Sequence, residues 1–295
     1  MAQAGDQESA ENQRVSMNIK IWGSRGSIPV SGKEYLKYGG DTTCVEIRTK
    51  SGDIIIIDAG TGIRRLGNQL ADEKCFDLNF IFTHAHWDHL MGFPFFKPLY
   101  FKKSTIRMHG CPFHSKFVET ILSKVMAPPN FPVKYSDITA QMSYPDACPT
   151  EFEIGSVRVV PVALSHPNGG SGYKFIEDGK SFVFLTDNEL GYIHPGGLPF
   201  EDYLSFSSGA DLLIHDAEYT PEEYKTFIDW GHSVYTDALD FLWIKLAGEL
   251  CSIEVAAVAD IVDLDVLIGV VGLEGNLAGF FAVFGWECSP IQPDT

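Results

Sequence analysis

What the chain lacks already narrows its class. Its six cysteines (Cys44, Cys75, Cys111, Cys148, Cys251 and Cys288) stand at scattered spacings with no C-x-x-C pair, so a disulfide framework is a poor reading. The opening stretch MAQAGDQESAENQR has no basic patch followed by an apolar run and reads as a disordered polar tail rather than a secretory leader. Together these absences predict a cytoplasmic protein with reduced thiols. Positive charge is scarce as well: 22 lysines and arginines face 39 aspartates and glutamates, for a formal net charge of −17. A general binder of nucleic acid or of anionic membranes carries the opposite sign, so bulk nucleic-acid binding and membrane binding are both disfavoured. An anionic substrate then needs a local source of positive charge, which a bound metal supplies. No lysine or arginine follows Lys245. The apolar run at 266–286 is long enough to raise a transmembrane helix. Glu274, Asn276 and five glycines inside it, with no basic anchor at either end, favour a buried terminal segment instead.

The 295 residues suffice for one large domain with a real apolar core. Residues 53–58 (DIIIID), 79–82, 156–163 and 211–217 read as strands, and 172–187 reads as a hairpin turning at Asp178-Gly179. Phe117, Val118, Ile121, Leu122, Val125 and Met126 mark one helical stripe, closed by Pro128-Pro129; Leu239, Leu242, Trp243, Leu246 and Leu250 mark another. Strands interspersed with helices predict an α/β class with helix-covered sheets. With no repeat or long linker, the expected organisation is a polar tail at 1–15, a single domain at 16–250 and an atypical apolar segment at 251–295.

The densest chemistry lies in THAHWDHL, where His84, His86, Asp88 and His89 follow directly on a strand. Alternation lets His84 and His86 face one ion while Ala85 points away, and Asp88 and His89 open the next turn. The arrangement offers two neighbouring sites, one rich in nitrogen and one mixed. Imidazole with carboxylate suits zinc, and also manganese or iron.

This His84-x-His86-x-Asp88-His89 pattern resembles the signature of the metallo-β-lactamase fold superfamily. Residues 21–30 (IWGSRGSIPV), 38–47 (YGGDTTCVEI) and 56–67 (IIDAGTGIRRLG) are similar to its phosphodiesterase-like branch, which holds tRNA 3′-processing endonucleases and small cyclic-nucleotide phosphodiesterases. The resemblance runs from about Asn18 to about Phe241 and implies an αββα sandwich with metals at one edge of the two sheets. It implies His166 as the third histidine of the first metal and Asp187 as the carboxylate shared by both metals. Asp88 and His89 would serve the second metal, and Asp58 would orient ligand histidines. Relatives carry a His-Glu-Ala-Thr segment where this chain has HDAEY, and His-Ser-Thr where it has GHS. The implied proton-donating pair is therefore Asp216 and His232. His109, His114, His194 and His215 match no ligand position. A final histidine ligand of the second metal has no counterpart, since no histidine follows His232. Asp260, Asp263 and Asp265 are the candidate substitutes.

The implied activity is a metal-dependent phosphodiesterase acting on small nucleotides or cyclic nucleotides, with water activated between two metals and Asp88, His232 and Asp216 as catalytic groups. Zinc is the first choice of metal, one ion tight and one weaker, with manganese or iron(II) as alternatives. The expected partner is a small anionic phosphodiester, with homo-oligomerisation left open. Bulk tRNA processing is disfavoured by the net charge and by the lack of a basic arm with a Gly-Pro-rich tip. Two other functions stay open. One is a carboxylic ester or thioester hydrolase of the same fold, which would release a thiol or alcohol rather than a phosphate. The other is a metal-binding sensor with an incomplete second site.

Overall fold

The run Ile54-Ile55-Ile56-Ile57 has no polar residue to give a wet face, and all four side chains are buried. Successive side chains of a strand point to opposite faces, so this segment must be covered on both sides. In the computed structural model, which describes residues 17–33, 35–36, 39–109, 115–144, 149–246, 253–256, 266–273 and 278–284, that is what happens. Ile54 and Ile56 join a core with Leu66, Leu70, Phe80 and Leu122. Ile55 and Ile57 join a second core with Val159, Phe175 and Phe184.

The elements run β1 (Asn18–Gly23), β2 (Cys44–Arg48), β3 (Ile54–Ile57), α1 (Ile63–Glu73), β4 (Asp77–Ile81), α2 (Trp87–Leu90), β5 (Thr105–His109), α3 (Ser115–Val125), β6 (Gln141–Ser143) and β7 (Phe152–Ile154). They continue with β8 (Val157–Ala163), β9 (Ser171–Glu177), β10 (Lys180–Leu185), α4 (Phe200–Ser207), β11 (Leu212–Asp216), α5 (Pro221–Phe227), α6 (Tyr235–Leu246), β12 (Ile253–Ala256), β13 (Val266–Leu273) and β14 (Ala278–Phe284). One six-stranded sheet has the order β1-β2-β3-β4-β5-β6, and an eight-stranded sheet has the order β12-β13-β14-β11-β10-β9-β8-β7.

Three cores define four layers. The first lies between the six-stranded sheet and the helices α1 and α3. The second fills the space between the sheets. The third joins Val183, Leu185 and Leu213 of the larger sheet to Tyr203 of α4 and to Ala238 and Phe241 of α6. The strand β10 shows the same logic as β3: Phe182 and Phe184 enter the core between the sheets, while Val183 and Leu185 face the helices. This is the αββα sandwich.

The hairpin of β9 and β10 turns at Asp178 and Gly179, whose φ values of 49° and 76° are the pair a type I′ turn needs. The helical stripe from Val118 to Met126 is present in α3 and the turn that follows it. In α6, Ala238 and Phe241 are buried with the preceding Val234, at i, i+4 and i+7, whereas Leu239 of the expected stripe is only partly covered; Leu250 falls outside the described residues. Among its described residues the apolar run from Val266 supplies no helix. It contains β13 and β14, antiparallel to each other, with β14 parallel to β11. Among the described residues no helix is long and apolar enough to cross a membrane. Cys44 and Cys75 are free thiols; the other four cysteines lie outside the described residues.

The two sheets bring strand ends together. β3 and β4 are parallel and lead into Asp58 and Thr83, while β10 and β11 are parallel and lead into Asp187 and Asp216. Tight backbone contacts hold the loops beneath. The carbonyl oxygen of Gly60 would lie 2.0 Å from a Cβ built on Gly92, and a Cβ on Gly60 would lie 2.5 Å from the Asp88 carbonyl oxygen. Any side chain at Gly92 pushes the Asp88 loop off the sheet. Gly92→Ala should therefore cost about 1–3 kcal/mol of stability, measured by chemical denaturation; an unchanged midpoint would show that the two loops do not pack this closely.

Candidate metal centre

Asp58 is the anchor of the His cluster. It follows β3 directly and sits at φ 60°, a left-handed conformation that Asp tolerates better than most residues. Its buried carboxylate accepts from the Thr83 backbone N–H (2.8 Å), the Thr83 hydroxyl (2.7 Å) and His89 Nδ1 (2.8 Å). The Thr83 proton is spent on Asp58, so Thr83 Oγ1 accepts from His84 Nδ1 at 3.1 Å. One carboxylate thus orients two histidines, His89 directly and His84 through Thr83, and turns Nε2 of each toward the site.

His166 is fixed in the same way from the other sheet. It follows β8, and its Nδ1 donates to the Gly231 carbonyl at 2.9 Å. Its Nε2 then faces His86 Nδ1 at 2.9 Å. Asp187 sits just past β10 at φ 52°. Thr186 donates to its Oδ1, and its Oδ2 is turned to the histidines: 3.3 Å from His84 Nε2, 3.3 Å from His89 Nε2 and 3.9 Å from His166 Nε2.

Two groups of converging donor atoms result. His84, His86, His166 and Asp187 form one, and Asp88, His89 and Asp187 form the other, each within 4.8 Å. Asp187 is common to both. His84, His166 and His89 are almost completely buried, and the Nε2 atoms of His84 and His89 have no hydrogen-bond partner. Buried polar atoms in folded proteins are nearly always paired, which these two Nε2 atoms are not. A divalent cation between these atoms satisfies all of them. The donor set fits a metal.

The electrostatics agree. Burial pushes His86 down to about 4 and His166 to about 2, so protons do not compete for those ligand nitrogens near neutral pH. Burial opposes charge on His89 too, but Asp88, Asp187 and Asp58 outweigh it and hold the imidazolium well above its usual range. Burial likewise works against the Asp88 carboxylate, yet His89 draws it down to about 2. The pocket around His89 is one that demands positive charge. The Ser27 backbone N–H also donates to Asp88 Oδ2 at 2.8 Å, tying the early GSRGS loop to the site.

His232 lies beside this cluster, its ring 5.4 Å from that of His166. Its Nδ1 meets Asp216 Oδ2 at 3.1 Å, as expected, and also Glu218 Oε2 at 2.9 Å, which was not expected. The signal was available: Asp216 and Glu218 are two residues apart at a strand end and so share a face. Burial disfavours the charged ring, but Glu218 and then Asp216 outweigh it and raise His232 well above the ordinary histidine range. Burial lifts Asp216 to about 7, with His232 opposing.

Three further described histidines serve structural contacts. His109 pairs with Asn79, His194 with Glu189, and His215 lies wholly buried against Asn188 and the Asp216 carbonyl; none of the three is solvent-exposed. His114, Asp260, Asp263 and Asp265 fall outside the described residues. Asp58→Asn, which removes one acceptor from Thr83 and His89, should weaken metal retention about 10–100-fold, read by competition with a chromophoric chelator. Unchanged retention would show that the Asp58 contacts do not orient ligands.

Comparisons with known proteins bear on what this centre serves. The sequence model of the Beta-lactamase superfamily domain matches residues 54–245. A ribonuclease Z from Haloarcula marismortui is 20% identical over 270 residues, covering 77% of this chain and 82% of that protein. Among solved structures, a diphosphatase from the PhnP family superposes with a TM-score of 0.55 at 19% identity, covering 77% of this chain and 82% of that one. The short form of human tRNase Z gives 0.52 at 18%, covering 77% and 88%. The ribonuclease relatives overturn the expectation of a small phosphodiester substrate with no bulk nucleic-acid binding. Net charge misled because it sums over the whole chain. Asp58, Asp88, Asp187, Glu189, Asp216 and Glu218 are all buried at or beside the site, and metals held there would offset part of their charge, so the total says little about the field at the mouth. The match over 54–245, the four-layer sandwich and the cluster at its edge place the chain in the beta-lactamase superfamily, with the metallo-β-lactamase fold.

Proposed function

We propose that this chain is a metal-dependent phosphodiester hydrolase and that RNA belongs to its substrate class. The observation that carries the reading is the juxtaposition of two donor clusters sharing Asp187 with a His232 held between two carboxylates. The ribonuclease Z relatives support the substrate class. Three imidazoles and a carboxylate favour zinc over magnesium or calcium at the first cluster, with manganese and iron(II) as alternatives.

When bound, divalent cations would neutralise phosphate oxygens and supply an activated water at neutral pH. The protein's own groups do the rest. His84, His86 and His166 would hold the first cation with Asp187, and Asp88 and His89 would hold the second. Asp88 also faces the Ser27 N–H, which restrains its second oxygen. His232 donates a proton to the departing alkoxide, and Asp216 and Glu218 keep that proton in place.

Metal analysis with a diester assay, on wild type and His86→Ala, tests the assignment: wild type turns over diesters and RNA with metal bound, and His86→Ala loses both metal and turnover. Release of thiol from thioesters in preference to diester cleavage would overturn it. His232→Ala should keep its metal and lose about 10²–10⁴ in turnover on poor leaving groups, with a smaller loss on good ones. Equal losses would remove His232 from the acid role. Among the described residues the second cluster has only Asp88, His89 and the shared Asp187. Dialysis against a mild chelator should therefore strip about one ion per chain well before the other; two ions lost together would contradict this.

A further inference from the structure

Glu189 is a buried carboxylate that no step above uses. Its side chain is fully enclosed, and burial of an unpaired carboxylate is strongly unfavourable. Four donors surround it. Oε1 accepts from the Tyr224 hydroxyl at 2.6 Å and the Asp229 backbone N–H at 2.9 Å. Oε2 accepts from the Gly231 backbone N–H at 2.7 Å and His194 Nε2 at 2.8 Å. Its own backbone N–H donates to the Ser165 carbonyl at 2.9 Å, one residue before His166.

Two of these donors are telling. Asp229 and Gly231 carry φ values of 73° and 96°, conformations that cost a non-glycine residue about 1–3 kcal/mol and persist only when their surroundings impose them. The Glu189 carboxylate binds the N–H of both. The segment it holds is the one that presents the Gly231 carbonyl to His166 Nδ1 and carries His232 as its next residue. The fit allows no slack, since a Cβ on Gly231 would lie 2.0 Å from His166 Nδ1.

We infer that Glu189 is a positioning residue that clamps residues 229–231 and so sets both the metal-binding tautomer of His166 and the placement of His232. Charge-assisted hydrogen bonds to a single carboxylate are strong and directional, so one side chain from the β10 end couples first-cluster metal affinity to leaving-group protonation. The His232 half of this rests on the phosphodiester reading above; the His166 half stands without it.

The test uses full-length, metal-loaded protein carrying Glu189→Gln, which keeps shape but puts an amide N–H₂ against backbone donors. Two readouts are taken. Chelator competition should show first-site metal held about 10–100-fold more weakly. At matched metal occupancy, turnover on a diester with a poor leaving group should fall at least about 10-fold further than on one with a good leaving group. A merely structural role would lower the unfolding midpoint and leave both readouts unmoved, which overturns the inference. Asp229→Gly, which relieves the left-handed strain, should recover part of the lost metal affinity when combined with Glu189→Gln; no recovery counts against the clamp. Should Glu189→Gln fail to fold, Tyr224→Phe removes one donor to the same carboxylate and should move both readouts about threefold, the net worth of one hydrogen bond; no movement overturns the inference. If wild type cleaves no diester, the phosphodiester reading fails while the chelator readout still decides the His166 half.

Discussion

Asp187 Oδ2 sits 3.3 Å from one ring nitrogen of His84, 3.3 Å from one of His89 and 3.9 Å from one of His166. A buried carboxylate costs several kcal/mol unless opposite charge accompanies it, and here the neighbours are imidazoles whose other nitrogens are already committed. His84 answers to Thr83, His89 to Asp58 and His166 to Gly231. The nitrogens that remain all point toward the same carboxylate oxygen. A divalent cation there would satisfy them together, and the rest of the structure keeps that convergence intact.

The sandwich explains how it is kept. Asp58 and the His84 loop come from the six-stranded sheet, while His166, Asp187 and His232 come from the eight-stranded one. Neither sheet alone completes either donor cluster. The core between them, with Ile55 and Ile57 against Phe175 and Phe184, therefore does more than stabilise the fold: it sets the spacing across which ligands meet. Strain accumulates where the sheets deliver their carboxylates, since both Asp58 and Asp187 leave their strands in left-handed conformations. Such strain at a site is held by its surroundings, here by Thr83 and Thr186.

Much of this was legible in the chain itself. His84, His86, Asp88 and His89 fall within six residues just past the end of β4, so their clustering is readable without a fold. His166, Asp187 and Asp58 were legible only through the resemblance to the superfamily, each standing just after an apolar run. Glu218 has no counterpart in that resemblance, although a spacing of two from Asp216 at a strand end puts both on one face. Glu189 carries no motif, and its role appears only when the loop at 229–231 folds back on it. At the start of α6, packing buries Ala238 and Phe241 with Val234 and leaves Leu239 half-covered, a choice that apolar character alone does not reveal. Net charge failed for a different reason: it carries no information on where acids sit, and several of them line the site.

The central claim is that a divalent cation belongs at Asp187 and stabilises the folded chain. Thermal unfolding of metal-depleted protein across a series of zinc concentrations measures this directly, because a ligand that binds only the folded state raises the midpoint in step with its concentration. The account predicts a midpoint that climbs with zinc in wild type and stays flat in Asp187→Ala. A flat response in wild type, or the same climb in both proteins, would contradict it.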